Sequence, residues 1–220
     1  GKVDEVRVYS RALTSGEIES LYNQGGGTKV NSAVSQVQGT GRLDSGLAGY
    51  WPLDNGSGTS ATDNSTNGNT GTLTNGPTWT TGQIGGAVDF DGTDDYVDIG
   101  LSAISSPNAL TLSVWAKFGS NRDAVGQPLF GNVNGQSGSG GQAFYVDNSG
   151  TYNIGGFAGV SALSTNAITP SLDTWYHFVD TFDGVTEKIY VNGVLLTSGA
   201  GSVTQASENN VMLGSHVGSS

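Results

Sequence analysis

GKVDEVRVYSRALTSGEIESLYNQ, residues 1–24, reads as one strand followed by a short helix. Strict alternation over Lys2–Tyr9 puts Asp4, Val6 and Val8 on one face, and Val3, Glu5, Arg7 and Tyr9 on the other. A carboxylate in line with two valines needs a partner. Thr14-Ser15-Gly16-Glu17 matches the capping box, in which Thr14 accepts from the Glu17 N–H and Glu17 reaches back to Thr14. Ile18, Leu21 and Tyr22 form one apolar helical face, and Gly25–Gly27 ends the helix.

Working outward, residues 25–44 are rich in Gly, Ser and Gln, with weak alternation, and read as a linker. Its twenty residues reach at most roughly 66–70 Å. Residues 45–220 bring regular strand signals: AGYWPL, GTLTN, GAVDF, YVDIG, ALTLSVWAKF, QPLFGNV, QAFYVD, YNIGGF, TWYHFVDTF, EKIYVNGVLL and NVMLGS. Asn192-Gly193, between IYV and VLL, is a two-residue hairpin signal. About a dozen short strands, glycine turns and one short helix predict an all-β fold, a two-sheet antiparallel jelly-roll sandwich. This later part stops one strand short, and residues 1–24 read as the strand and helix that complete it. Gly1 then reads as the continuation of Ser220. Three arrangements satisfy that expectation: a circular permutation, a slice from a tandem array, or a subunit whose opening strand fills a neighbour.

Composition narrows the function classes. At 220 residues, one large β domain is favoured over two small ones. Charged residues are 12% of the chain but biased, 19 acidic against 8 basic, net −11. That excess argues against nucleic acid or an anionic membrane surface as partner. There are 36 glycines and no cysteine. With low charge and many Gly, Ser, Thr and Asn residues, this fits a surface protein, and an extracellular or cell-surface location is expected. No run approaches a membrane span in apolar length.

Seven stretches together carry a family likeness: GLAGYWPLD (46–54), DNSTNGNTGTLTNGPTW (63–79), GQIGGAVDFDGTDDYVDIG (82–100), LTLSVWAKF (110–118), TWYHFVDTFDG (174–184), KIYVNGVLL (188–196) and VDEVRVYSRALTSGEIESLYN (3–23). The chain resembles the laminin G-like, concanavalin A-like jelly-roll superfamily in its bacterial form. In that family the last stretch comes at the end; here it comes first. The resemblance implies two antiparallel sheets, one concave, and often a structural calcium. The family hosts sugar-binding modules, adhesins and purely connecting domains, so fold does not settle function.

The candidate calcium loop is Asp63–Asn69, one carboxylate and three asparagines within seven residues. The resemblance implies that Asp63 and nearby carbonyls hold the ion, helped by an acid from the closing strand. Asp4 fits that part, and Asp63, Asn67, Asn69 and Asp4 form the expected metal set. The plain alternative is an Asx-turn loop without metal. Asp91-Gly92-Thr93-Asp94-Asp95 reads as a tight turn, with Asp94 or Asp95 as alternative ion contacts. A sugar site needs aromatic planes and hydrogen-bonding groups. Trp115, His177 and Tyr190 fall on a similar face by alternation, and Tyr145 and Tyr152 lie in the 119–170 stretch. The competing reading packs Trp115 in the core. Catalysis is not expected: no strand carries alternating carboxylates of the E-x-D-x-x-E kind, and no G-x-S-x-G elbow exists. The functional expectation is a non-catalytic glycan-binding or adhesion module. The alternative is a filament subunit that partners its own copies through the opening strand.

Overall fold

The computed structural model describes residues 1–26, 43–99, 109–119, 127–132, 143–146, 154–155, 170–201 and 211–214, with 127–128, 131–132, 143–146, 154–155 and 211 described by their backbone alone. The elements run β1 (Lys2–Tyr9), α1 (Ser15–Gly25), β2 (Leu47–Trp51), β3 (Ser60–Ala61), β4 (Gly71–Thr74), β5 (Thr78–Thr81), β6 (Gly86–Asp89) and β7 (Tyr96–Asp98). They continue with β8 (Leu110–Lys117), β9 (Gln127–Asn132), β10 (Ala143–Val146), β11 (Ile154–Gly155), β12 (Trp175–Phe182), β13 (Thr186–Val191), β14 (Val194–Ala200) and β15 (Val211–Leu213). Two antiparallel sheets form the expected all-β sandwich. One has the order β14-β13-β12-β8-β1-β6-β5, with β2 also paired to β1; the other is β11-β10-β9-β15-β7-β4-β3. The division into residues 1–24, 25–44 and 45–220 turns on a segment, 27–42, that lies outside the described residues.

β1 is an interior strand. Along one edge it pairs with β8 from Lys2↔Lys117 to Tyr9↔Thr111. Along the other it pairs with β6 at Lys2↔Asp89 and Val3↔Val88, then with β2 from Val6↔Trp51 to Tyr9↔Leu47. Both rows of its backbone groups are thus engaged, and Val6 and Val8 are fully buried at 0% and 1% exposure.

The faces of β1 differ from simple alternation. The β1–β8 register slips between Asp4 and Arg7, and Glu5 takes φ +53°. This is a bulge: one extra residue is inserted, so the side-chain alternation changes phase. Val3 therefore joins Val6 and Val8 in the inter-sheet core. Asp4 turns to the opposite side, opposite Trp115, with Arg7 and Tyr9 following on that side opposite Ser113 and Thr111. Glutamate carries no sequence mark of positive φ, so alternation alone assigns Asp4 to the wrong face.

The core between the sheets takes Val3, Val6, Val8, Trp51, Leu112, Val114, Phe178 and Ile189 from the first sheet, and Leu73, Val97, Phe130 and Leu213 from the second. A second apolar layer lies outside the first sheet, where Ile18, Leu21 and Leu13 meet Tyr9, Val179 and Tyr190. That layer is the reason an 11-residue helix is stable: helices this short depend on tertiary packing. Its start is fixed by the capping box between Thr14 and Glu17, and Arg11 grips Glu17 with two bonds of 3.0 and 2.6 Å. Burial would raise the Glu17 carboxyl, but the donors on Arg11 and Thr14 outweigh it and hold it below the usual range. The Asn192-Gly193 turn has φ 51° and 79°, matching the left-handed pair a tight hairpin requires.

Candidate functional site

Asp4, Trp115 and His177 stand side by side on β1, β8 and β12, because Asp4↔Trp115 and His177↔Trp115 are register partners. The next row holds Arg7, Ser113 and Val179. This outer face carries the aromatic, hydroxyl and acidic chemistry that a sugar site uses, but α1 covers it. Tyr22 stacks on Trp115 at 5.7 Å and on His177 at 6.2 Å, and Trp115 and His177 stand 5.1 Å apart. A Cβ on Gly25 would come within 2.7 Å of the Trp115 ring, so only glycine lets the helix approach so closely. Trp115, His177 and Tyr190 are 2%, 0% and 5% exposed. The structure therefore brings these three expected sugar contacts to one face and buries them under the chain's own helix.

The covered face is polar at its centre. His177 Nε2 bonds the Ser113 hydroxyl at 2.8 Å. His177 Nδ1, Trp115 Nε1, Tyr9 Oη and one Asp4 oxygen have no hydrogen-bond partner among the described residues. Burial, with a further contribution from Arg7, depresses the His177 pKa to about 3, so the ring is neutral at ordinary pH. The other Asp4 oxygen accepts from the Gln83 and Ile84 N–H groups at 2.8 and 2.9 Å. Gln83 in turn donates its side-chain amide to the Gly25 carbonyl at the helix end. Desolvation, only partly offset by those donors and reinforced by neighbouring Glu5, raises the Asp4 pKa to about 7.

Glu5, placed outward by the bulge, is 2% exposed. It pairs with Arg7 at 2.6 Å and accepts from the Tyr50 hydroxyl at 3.0 Å. Arg7 also stacks 4.2 Å above the Tyr50 ring and donates to Gln24 at 3.3 Å. Burial raises the Glu5 carboxyl despite the opposing pull of Arg7 and Tyr50. Alternation put Glu5 and Arg7 on one face but gave no hint that Tyr50 of β2 completes the group. Its signal was an oppositely charged pair two residues apart, flanked by valines.

Asp63, Asn67 and Asn69 do come together, in the loop between β3 and β4. Asp63 Oδ1 accepts from the N–H groups of Tyr50 and Ser65 at 2.9 and 2.7 Å. Its Oδ2 accepts from the Ser65 hydroxyl and the Asn69 N–H, both at 2.8 Å. Asn67 and Asn69 turn their amide nitrogens onto the Ala48 carbonyl. A carboxylate offers about four lone-pair sites, and here all four are taken. Asp4 engages a different turn on the covered face. The residues present do not fit a calcium ion bound by Asp63, Asn67, Asn69 and Asp4: Asp63 has no free lone pair, and Asp4 serves another neighbourhood. The Ser65 N–H bond to Asp63 Oδ1 is that of an Asx turn. Burial would raise the Asp63 carboxyl, but its donors hold it below the usual range.

Asp91, Asp94 and Asp95 set three carboxylate oxygens within 4.8 Å of one another. Asp95 accepts from the Asp91 N–H at 2.9 Å, and Asp91 from the Thr93 N–H at 2.7 Å, the bonding of a tight turn. Tyr145 lies in β10, where only the backbone is described, and Tyr152 is outside the described residues.

A family model described as the concanavalin A-like lectin/glucanases superfamily matches residues 91–220. No curated protein matches the chain. Among solved structures, the chain is similar to a Trypanosoma rangeli sialidase in complex with the inhibitor DANA: 16% identity, TM-score 0.55, 91% of this chain and 32% of that one. It is more loosely similar to domain 4 of AbnA, an extracellular arabinanase of Geobacillus stearothermophilus in complex with arabinotriose: 19% identity, TM-score 0.49, 69% of this chain and 76% of that one. The carbohydrate binding module CBM66 from Bacillus subtilis follows at 19% identity and TM-score 0.39, over 66% of this chain and 88% of that one. The sialidase likeness, over about a third of that protein, speaks for the fold alone; the other two are too loose to carry an argument. With the family match spanning more than half its length, the chain belongs to the concanavalin A-like lectin/glucanases superfamily.

Proposed function

We propose that this protein is a non-catalytic glycan-binding module, presented outside the cell, whose 63–69 loop is held by hydrogen bonds. Membership of a superfamily of lectins and glucanases supports a sugar ligand. The observation that favours binding over hydrolysis is the state of Asp4, Glu5 and Asp63. Glycosidases hold two carboxyls roughly 5–9.5 Å apart across an open cleft. The adjacent acids Asp4 and Glu5 are 0% and 2% exposed, committed to backbone N–H groups, Arg7 and Tyr50. Asp63 is committed to its own loop. Three of the five candidate sugar contacts are covered by α1, which leaves Tyr145 and Tyr152. As tyrosines, these two are of the residue type whose rings stack on sugar C–H groups.

The test is a binding titration of the whole chain against arabinans, β-glucans, pectins and sialylated glycans, beside release of dye from labelled polysaccharides. The expected result is saturable binding to one class without dye release. Tyr145→Ala or Tyr152→Ala should weaken that binding about tenfold, or about 1.4 kcal/mol. Silence across the panel, or turnover, contradicts the reading.

A further inference from the structure

We propose that copies of this chain join by exchanging residues 1–26, so that β1 and α1 of one molecule fill the sheet of a second. The observation behind it is how the contacts of this segment are distributed. Internally it is one tied unit, through Arg11–Glu17, Thr14–Glu17 and Arg7–Gln24. Every β-ladder it enters lies beyond residue 46: with β2, β6 and β8. The helix likewise rests on Trp115, His177, Val179 and Tyr190. A second copy presents all of these partners in the same arrangement, and nothing in the described seam distinguishes a chain's own strand from its neighbour's.

The connection is long enough to allow either closure. The chain re-enters beside the start of α1, where Ser10 and Arg11 donate to the Gly46 and Ser45 carbonyls and Leu43 packs against the helix layer. Returning there from the helix end requires about 16 Å, the rise of 11 residues. The 16 residues 27–42 reach about 53–58 Å. The surplus is what a neighbouring molecule uses. The drive is strong, because a sheet lacking β1 leaves the edges of β8 and β2 unpaired beside exposed core. Closure within one chain acts at an effective concentration on the order of millimolar, so exchange competes with it when chains fold at comparable density. This inference stands apart from the sugar-binding reading and survives its failure.

The chain has no cysteine, so single introduced thiols report unambiguously. Lys2 and Lys117 are register partners, and opposed residues of antiparallel strands lie about 4.5–5.5 Å apart, within disulfide range. Full-length Lys2→Cys and Lys117→Cys chains are denatured together, then refolded at about 1 mM under mild oxidation. The expected product is a folded dimer in which the thiol introduced at position 2 of one chain is bonded to that at position 117 of the other, in about a tenth or more of the molecules. Chains refolded apart and mixed afterwards should give far less. A double variant carrying both substitutions in one chain sets the standard. If it closes internally while the mixture gives no such cross-link, exchange is overturned; if it fails to close, the β1–β8 register beneath the proposal is itself contradicted.

Discussion

The loop around Asp63 and the bulge around Asp4 use the same functional group to opposite ends. Asp63 receives four donors, three of them backbone N–H groups, and its carboxyl sits below the usual range. Asp4 receives two donors on one oxygen, none among the described residues on the other, and lies at 0% exposure. Its pKa rises to about 7. The difference shows that the number of donors, set against the depth of burial, decides whether a carboxylate staples a fold or strains it. It also shows that the two acids expected to share one ion bond to different neighbours.

The harshest test of the β1 side is Val6→Asp. A charge placed at 0% exposure between the sheets should cost more than about 4 kcal/mol and leave no cooperative urea transition. Asp63→Ala comes next. It deprives the Tyr50, Ser65 and Asn69 N–H groups of their acceptor, for a loss of about 2–3 kcal/mol in chemical denaturation. On the reading that hydrogen bonds hold the loop, a chelator should not shift the melting temperature of the parent protein. A chelator-induced drop that disappears in the variant would break the comparison.

The two regions also differ in the sign of their pH dependence. Folded Asp4 holds its proton more tightly than the unfolded chain does, so its contribution is intact below about 3.8 and lost as pH rises to about 7. Asp63 works the other way: its contribution is present above 3.8 and lost as pH falls below it. Asp4→Asn should therefore stabilise the protein by about 2 kcal/mol at pH 8 and by little at pH 4, read from paired urea curves. An equal effect at both pH values would mean that Asp4 is ionised throughout. The smallest effect is expected at Gly25→Ala. Alanine in place of a helical glycine ordinarily gains about 1 kcal/mol. Here its methyl meets the Trp115 ring, and a loss of about 1–2 kcal/mol is expected instead.

Local chemistry was legible in the sequence. The capping box at Thr14 and Glu17, the apolar helix face and the Asn192-Gly193 hairpin each depend on residues a few positions apart, and each forms as read. The bulge was not legible, because Glu5 adopts positive φ without glycine or asparagine to announce it. The error propagates: with the alternation shifted, Asp4 leaves the valine face and joins Trp115. The cover over Trp115, His177 and Tyr190 was hidden for another reason. Ile18, Leu21 and Tyr22 declare that the helix must bury a face, but which sheet surface receives it is decided by pairing across more than a hundred residues. The Asp63 loop was ambiguous in principle, since oxygens that ligate calcium also accept backbone hydrogen bonds.

Amide hydrogen exchange across Val3–Tyr9 interrogates the position of β1 most directly. An interior strand, hydrogen-bonded to β8 on one side and to β2 and β6 on the other, should exchange only with global unfolding, as slowly as Val114 in β8. Exchange of those amides at the rate of an unstructured peptide, while Val114 stays protected, would mean that the sandwich stands without its opening strand.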